Sequence, residues 1–260
     1  MTTALLELPT HLRKRLVAGL KSNMLGTPCS VSELQFLLGI NEGGEAIVGA
    51  LSELSEFGIS GAAAAGWIES LEQALTQVAK PDFVWSGPEV AGLHARDTKR
   101  VYDQLLGSAE HSLWVSTFAY FDGPKVFKVL ADRMDSLPEL KVTLLLNIQR
   151  GKGDTSSAEA LAYKFADRFW MQDWPGKRRP TIYYEPKSLT LDGPSSVLHA
   201  KAVIADGQVV FITSANLTEK AQNTNIETGI LLRDRTLAAS VAKHFQVLIE
   251  QGLLSALPAN

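Results

Sequence analysis

The chain carries the sequence LHAKAVIADG at residues 198–207, and this stretch decides how the rest of the sequence is interpreted. Successive side chains of a β-strand point to opposite faces, so His199 and Lys201 are expected to share one face. The small apolar residues expected to be buried on the other face are Ala200, Ala202 and Ile204. The stretch therefore predicts a strand that presents an imidazole and an ammonium together in a cleft.

A tight turn is predicted directly after this strand. Asp206 and Gly207 form the residue pair most typical of a two-residue type I′ hairpin. The following residues, 208–213 (QVVFIT), are rich in β-branched and aromatic side chains and predict the returning strand. Further hydrogen-bonding residues follow at Ser214, Asn216 and Glu227. The polar pair is therefore expected to lie on a rigid hairpin with more polar groups close by.

The order of these residues resembles the phospholipase D superfamily, whose pattern is His-x-Lys-x4-Asp followed by a serine, an asparagine and a glutamate. The positions that match are His199, Lys201, Asp206, Ser214, Asn216 and Glu227. Thr213 departs from the family's usual glycine before the serine. The resemblance implies a phosphodiesterase in which Glu227 orients the nucleophilic histidine, while Asp206 looks more structural than chemical.

The chemistry explains why these residue types occur together. Phosphodiester cleavage needs a nucleophile, a proton donor for the leaving oxygen, and positive charge near the phosphoryl oxygens. A neutral His199 can attack phosphorus to form a phosphohistidine, while Lys201 acts as a point charge and Asn216 donates a hydrogen bond. For Ser214, a turn-forming hydroxyl is an equal alternative. Such a reaction requires no metal and no other cofactor.

Only half of such a site is present in one chain. The other histidines are His11, His94, His111 and His244, and none begins a second copy of the motif. The reaction needs one histidine to attack and another to protonate the leaving group. The resemblance implies that single-motif members form a twofold homodimer that shares the site, and an isologous interface suits this geometry.

The fold class predicted for the chain is α/β, a phospholipase D-like mixed β-sheet with flanking helices, preceded by a small all-helical region. Apolar residues recur at helical spacing over residues 1–80, which predicts an N-terminal module of four helices, one of them capped by Ser30 or Ser32 and the last continuing to Val78. Strand-like and helix-like segments then alternate over residues 81–260, the predicted phosphodiesterase domain, with strands at 181–184 and 227–232 among them. A DNA-reading helix-turn-helix is a possible alternative for the first module, but its many glutamates favour a plain packing module.

Composition limits the class of protein further. The 260 residues are 45% hydrophobic, enough for a full core, and Cys29 is the only cysteine, which suits a reducing cytoplasm. No secretion signal or membrane span is indicated. The net charge of −3 gives no general support for nucleic-acid binding. Basic residues near two tryptophans could still bind phosphates, or could form solvated loops, and they are Arg150, Lys152, Lys177, Arg178 and Arg179.

A narrower resemblance is to the DrmC family, the phospholipase D-like proteins of the bacterial DISARM anti-phage defence system. It is carried by the helical N-terminal region, by VWSGPE at residues 84–89, by Arg96-x-Thr98 and by the single motif. It implies a nuclease that acts on phage DNA beside other DISARM proteins. The alternatives are a non-catalytic nucleic-acid-binding or scaffolding subunit and, as a weaker enzymatic option, a phospholipid phosphodiesterase.

Overall fold

The structure is a computed structural model that describes residues 3–77, 80–89, 91–191 and 196–259. The chain divides into two compact units, Met1–Val78 and Ala79–Asn260. Each unit has its own hydrophobic core. Within the described residues, no helix is both long enough and apolar enough to cross a membrane.

The first unit consists of helices. They are α1 (Thr3–Glu7), α2 (Thr10–Lys21), α3 (Val31–Leu38), α4 (Glu45–Glu56) and α5 (Gly61–Gln77). Leu16, Leu34 and Leu51 are fully buried between them, as the helical spacing predicts. α3 begins with the predicted serine cap, because the Ser30 side chain accepts from the Glu33 backbone N–H at 3.2 Å. The short α1 is an addition to the four predicted helices, and the predicted continuation to Val78 lies outside the described residues.

The second unit contains a nine-stranded mixed sheet, which confirms the predicted α/β class. The strands are β1 (Asp82–Ser86), β2 (Arg96–Asp97), β3 (Ser112–Thr117), β4 (Lys141–Leu146), β5 (Thr181–Tyr184), β6 (Ala202–Ala205), β7 (Val209–Thr213), β8 (Glu227–Leu232) and β9 (Ser255–Ala256). Their order across the sheet is β2-β1-β8-β7-β6-β3-β4-β5-β9.

Helices flank this sheet. They are α6 (Thr98–Ser108), α7 (Gly123–Val126), α8 (Lys128–Ser136), α9 (Ala158–Arg168), α10 (Glu219–Asn223) and α11 (Arg235–Glu250). A π-helical turn, Phe169–Asp173, follows α9, and a 3-10 turn, Pro186–Leu189, follows β5. The main core includes Tyr102, Phe127 and Phe211. The C-terminal helix α11 contacts β6 and β7, where Ala202 and Ile204 form a smaller cluster with Ala238.

The central hairpin differs from its prediction in two details. The strand begins at Ala202, so His199 and Lys201 lie just before it, and Ala200 is exposed rather than buried. Asp206 and Gly207 have φ angles of +53° and +61°, as a type I′ turn requires. However, Ala205 is opposite Val209, so three residues rather than two connect the strands. The additional residue was not predicted because Gln208 suits a strand as well as a turn.

One edge of the sheet collects the segments that carry the predicted site. β3, β4 and β5 are parallel, and β6 is antiparallel to β3. The carboxyl ends of the first three strands therefore meet the amino end of β6. Because β7 and β8 continue the antiparallel order, the end of β7 and the start of β8 reach the same edge. We call this edge the site edge.

Candidate active site

His199 and Lys201 lie side by side at the site edge. Lys201 Nζ is 3.1 Å from both ring nitrogens of His199 and 3.0 Å from the His199 carbonyl oxygen. His199 is exposed, whereas Lys201 is buried. Burial lowers the pKa of Lys201, and the negative charge of Glu227 partly offsets this lowering. The structure thus brings together the two residues that the motif predicts for phosphate chemistry.

Ser214 and Glu227 form the second part of the arrangement. The Ser214 hydroxyl donates to the Glu227 carboxylate and accepts from the Thr228 backbone N–H at 3.1 Å. Asn225 Nδ2 approaches the other carboxylate oxygen at 3.5 Å. Among the described residues no hydrogen bond joins Glu227 to His199, so the predicted orienting contact is not present. The charge of Glu227 instead raises the pKa of Lys201, and the Ser214 hydroxyl holds the carboxylate in place.

Asn216 reaches the same edge from the segment after β7. Its Oδ1 accepts from the Ala119 backbone N–H at 3.2 Å. Since that contact fixes which atom of the amide is the acceptor, Nδ2 is the atom that can donate to a substrate oxygen. Asn216 and Glu227 line one shallow cleft, and His199, Lys201 and Ser214 line another. Five of the six motif residues therefore lie at the site edge.

Asp206 is the exception, because it lies away from the other five residues of the motif and does not join them as a catalytic group. It lies in the hairpin turn at the other end of β6, four strand residues away from Lys201. Its carboxylate accepts from the backbone N–H groups of Glu110, His111 and Ser112 at 3.0, 2.7 and 2.9 Å. Asp206 therefore fastens the hairpin to the start of β3, which agrees with the structural role that its turn position favours.

Replacement of Asp206 by alanine is expected to lower the free energy of unfolding by about 1–3 kcal/mol, because three backbone donors lose their acceptor. Burial raises the pKa of Asp206, but the Ser112, His111 and Glu110 N–H groups outweigh burial and leave the pKa below its ordinary value. The carboxylate therefore stabilises the fold above the unfolded-state pKa of about 3.9. This contribution is lost as pH falls through the folded-state pKa.

Urea unfolding of wild type and Asp206→Ala at neutral pH and at about pH 3 would measure this effect. The difference between the two proteins should shrink in acid. Asp132→Ala is the matched control, since Asp132 is an exposed carboxylate paired with Lys128 on the surface of α8. Equal losses in the two variants would contradict the fastening role of Asp206.

The basic residues predicted for nucleic-acid binding do not gather around the site. Lys177, Arg178 and Arg179 precede β5 and therefore lie toward the opposite edge of the sheet. The backbone N–H groups of Lys177 and Arg178 donate to Asp135 at 3.0 and 2.9 Å. The Arg179 guanidinium lies 4.6 Å above the Trp170 ring. These residues are close to the hairpin in sequence, but each strand carries the chain from one edge of the sheet to the opposite edge.

Arg150 and Lys152 follow β4 and do lie toward the site edge, but with different surroundings. The Arg150 guanidinium donates to the backbone carbonyl groups of Leu189, Asp154 and Ser156, including 2.8 Å to Asp154. Arg150 therefore holds two loops together through its guanidinium group. Lys152 is exposed in the loop and keeps its cationic side chain accessible.

An aromatic residue that the sequence did not predict packs against His199 and Lys201. The Phe118 ring centroid is 4.7 Å from that of His199 and 5.5 Å from Lys201 Nζ. Phe118 comes directly after β3, and an isolated aromatic residue after a strand carries no local signal of such a role. Among the described residues, no group of three or more histidine, cysteine, aspartate or glutamate side chains is arranged to hold a metal ion.

Comparisons with known proteins identify the family. Comparison with curated proteins gives no significant match. Nuc of Salmonella typhimurium, a phospholipase D family member, is similar at 17% identity and a TM-score of 0.45, with 70% of this chain and 99% of that chain covered. NucT from Helicobacter pylori gives 16% identity and a TM-score of 0.48, with 70% and 99% covered.

Phosphatidylserine synthase of Haemophilus influenzae Rd KW20 gives 17% identity and a TM-score of 0.44. The match covers 85% of this chain and 49% of the synthase, so this chain spans about half of that protein. The family described as "Cardiolipin synthase, PLD-like domain" matches residues 102–249, more than half of the chain and all of the motif. On that match, the chain belongs to the PLD-like family.

Proposed function

We propose that the protein is a metal-independent phosphodiesterase, a nuclease, that acts through a covalent phosphohistidine at His199. The observation that carries this proposal is the 3.1 Å contact between Lys201 Nζ and the imidazole at an exposed edge of the sheet. A nucleophile and a cation for the phosphoryl oxygens lie together there. Asn216 Nδ2 supplies a hydrogen-bond donor, and the charge of Glu227 favours the ammonium form of Lys201.

In the proposed reaction, a ring nitrogen of neutral His199 attacks phosphorus and forms a P–N bond. The P–O bond to the leaving group breaks, and a second histidine gives that oxygen its proton. The second histidine, now neutral, takes a proton from water, which attacks phosphorus and releases His199. Before substrate binds, Lys201 Nζ lies 3.1 Å from both ring nitrogens and donates to the His199 carbonyl oxygen, so its ammonium has to shift to a phosphoryl oxygen as the substrate enters.

The second histidine requires a second copy of the chain, and one surface beside the site suits such a partner. Phe83, Ile230 and Ile212 are direct cross-strand neighbours on β1, β8 and β7. They are 50%, 51% and 48% exposed. We call this row the apolar strip. Because Ile212 also lines the cleft of His199, a twofold contact through the strip would bring two half-sites close together.

The narrower resemblance to the DrmC family supports a setting in anti-phage defence. In that setting, the substrate is phage DNA in the bacterial cytoplasm and other DISARM proteins are partners. In this proposal residues 81–260 form the phosphodiesterase domain, and the helical module, residues 1–80, docks such partners. The second candidate function is a non-catalytic scaffolding or nucleic-acid-binding subunit of the defence complex, and the net charge of −3 favours its scaffolding form.

Incubation of the protein with labelled DNA and RNA, single- and double-stranded, in EDTA would test the proposed activity. Phosphatidylglycerol vesicles in the same assay would test the phospholipid alternative. We expect cleavage of nucleic acid that chelation does not inhibit, together with a dimeric mass in light scattering. A folded monomer without hydrolysis of any substrate would contradict the nuclease and favour the scaffolding subunit.

A further inference from the structure

A cavity of about 660 Å³ lies beside His199, between the segment after β3, the segment after β4 and helix α9. We call it the side cleft. Phe118 is part of its wall and also packs against His199, so the side cleft adjoins the reacting group. We propose that the side cleft binds a nucleotide next to the scissile phosphate and that the substrate is therefore single-stranded nucleic acid. The inference rests on the proposed nuclease function and names its substrate class.

Asn147 gives the side cleft an unsatisfied polar group. It is the first residue after β4, and its side-chain Oδ1 is buried without a hydrogen-bond partner among the described residues. A buried acceptor without a donor is unfavourable, so this oxygen needs a donor from an ordered water or from a bound ligand. Bases carry amino and ring N–H donors and sugars carry hydroxyl donors, and either kind can satisfy this oxygen.

Two cations on one face of α9 line the same cleft. The Arg168 guanidinium lies 5.0 Å from the Phe165 ring and donates to the Tyr120 hydroxyl at 2.9 Å, so its position is fixed. Lys164 is exposed, and no hydrogen bond or ion pair to its Nζ occurs in the described part of the chain. Lys164 is therefore the cation that can pair with a phosphate.

Asp154 is the one carboxylate among the described residues that line the side cleft, and it does not cancel the positive charge of Lys164. Asp154 accepts from the Ser156 backbone N–H at 2.9 Å. Hydrogen bonds from Ser156 and the charges of Lys164 and Arg150 keep the pKa of Asp154 below its ordinary value. With Asp154 bound to its own loop and Arg168 paired with Asp173 at 3.2 Å, Lys164 is the helix cation that remains available to a phosphate.

Phe121 supplies a surface on which a base can stack. Its side chain is 71% exposed at the mouth of the side cleft, so the ring is accessible to a base. Stacking on aromatic rings is sequence-tolerant, but it requires a base whose face is free. In a duplex both faces of an interior base are covered by its neighbours. The volume of the side cleft is also in the range of small-ligand pockets, about 300–1,000 Å³, and cannot admit a double helix.

Binding measurements in a His199→Ala background would test the inference without cleavage. The probes are a fluorescein-labelled oligothymidine and a blunt duplex of equal length, followed by fluorescence anisotropy at several salt concentrations. Phe121→Ala should weaken oligothymidine binding roughly tenfold, and Phe121→Tyr should restore it. Lys164→Gln should weaken binding and reduce the slope of log K against log salt by about 0.7.

Matched controls are available outside the side cleft. Phe36→Ala removes an aromatic side chain that is 89% exposed in the helical unit. Lys141→Gln removes the same charge as Lys164→Gln, but Lys141 is exposed at the start of β4, on the opposite edge of the sheet. Neither control should change binding. Duplex binding as tight as that of oligothymidine, or equal losses in controls and test variants, would overturn the inference.

The outcomes also separate this inference from the proposed function. Wild-type cleavage of nucleic acid with side-cleft variants that bind normally would overturn the inference and leave the nuclease intact. Specific single-strand binding through Phe121 and Lys164 without cleavage would support the inference and contradict the enzyme. Binding of anionic phosphatidylglycerol vesicles without any binding of oligothymidine would overturn both.

Discussion

Replacement of His199 by alanine is expected to reduce phosphodiester cleavage at least about a thousandfold, the scale of loss when a covalent nucleophile is removed. The variant lacks the ring nitrogen that forms the P–N bond, and Lys201 alone supplies only charge. Initial rates with labelled single-stranded DNA in EDTA would measure the loss. Because His199 is exposed, the variant should fold normally, and circular dichroism would verify this.

The control for this experiment is His94→Ala, which removes an exposed imidazole outside the site edge segments. Its cleavage rate should match that of wild type. Quenching a wild-type reaction in alkali with phosphorus-labelled substrate should also trap label on His199, because a P–N bond survives base and hydrolyses in acid. A His199→Ala variant that cleaves at the wild-type rate would rule out the nucleophile assignment.

Replacement of Ile230 by glutamate is expected to convert the proposed dimer to a monomer and to abolish cleavage with it. Ile230 is the central member of the apolar strip, and a charge there would lie unpaired in the interface of the dimer. Its side chain is 51% exposed in the single chain, so the substitution should spare the fold. Light scattering and cleavage assays on the same sample would report mass and activity together.

Phe36→Glu is the control for charge and exposure, because Phe36 lies in the helical unit and is 89% exposed. This variant should remain dimeric and active. A second check uses dilution, since the activity of a shared site should fall more steeply than protein concentration once the dimer dissociates. An Ile230→Glu monomer with full activity would show that one chain is sufficient and would contradict the shared site.

Local sequence determines much of this fold. The bounds Thr181–Tyr184 and Glu227–Leu232 agree with the predicted strands, because β-branched and aromatic residues are concentrated there. His199 and Lys201 are only two positions apart, so local sequence alone keeps their side chains close together, although both residues lie just before β6. Ser30 was predictable as a helix cap for the same reason, since a capping box is a local pattern.

The remaining features depend on the order of strands in the sheet, which local patterns do not encode. Phe118 and Asn147 follow different strands, and only the parallel pairing of β3 and β4 brings them to the site edge. The partners of Arg150 are backbone carbonyl groups, which no sequence pattern identifies. The position of Lys177 toward the opposite edge could not be predicted, because sequence distance from the hairpin does not reveal the edge on which a residue lies.

The separation of Asp206 from His199 along β6 also sets a minimum distance between the hairpin tip and the active site in the proposed dimer. A strand rises about 3.3 Å per residue, so the hairpin tip lies more than roughly 13 Å from the imidazole. If two histidines share one phosphorus, the two tips must point away from the symmetry axis. Gln208 is exposed at this tip, and Cys29 is the only native thiol, so spin labels on a Gln208→Cys, Cys29→Ser chain would report the span of the pair.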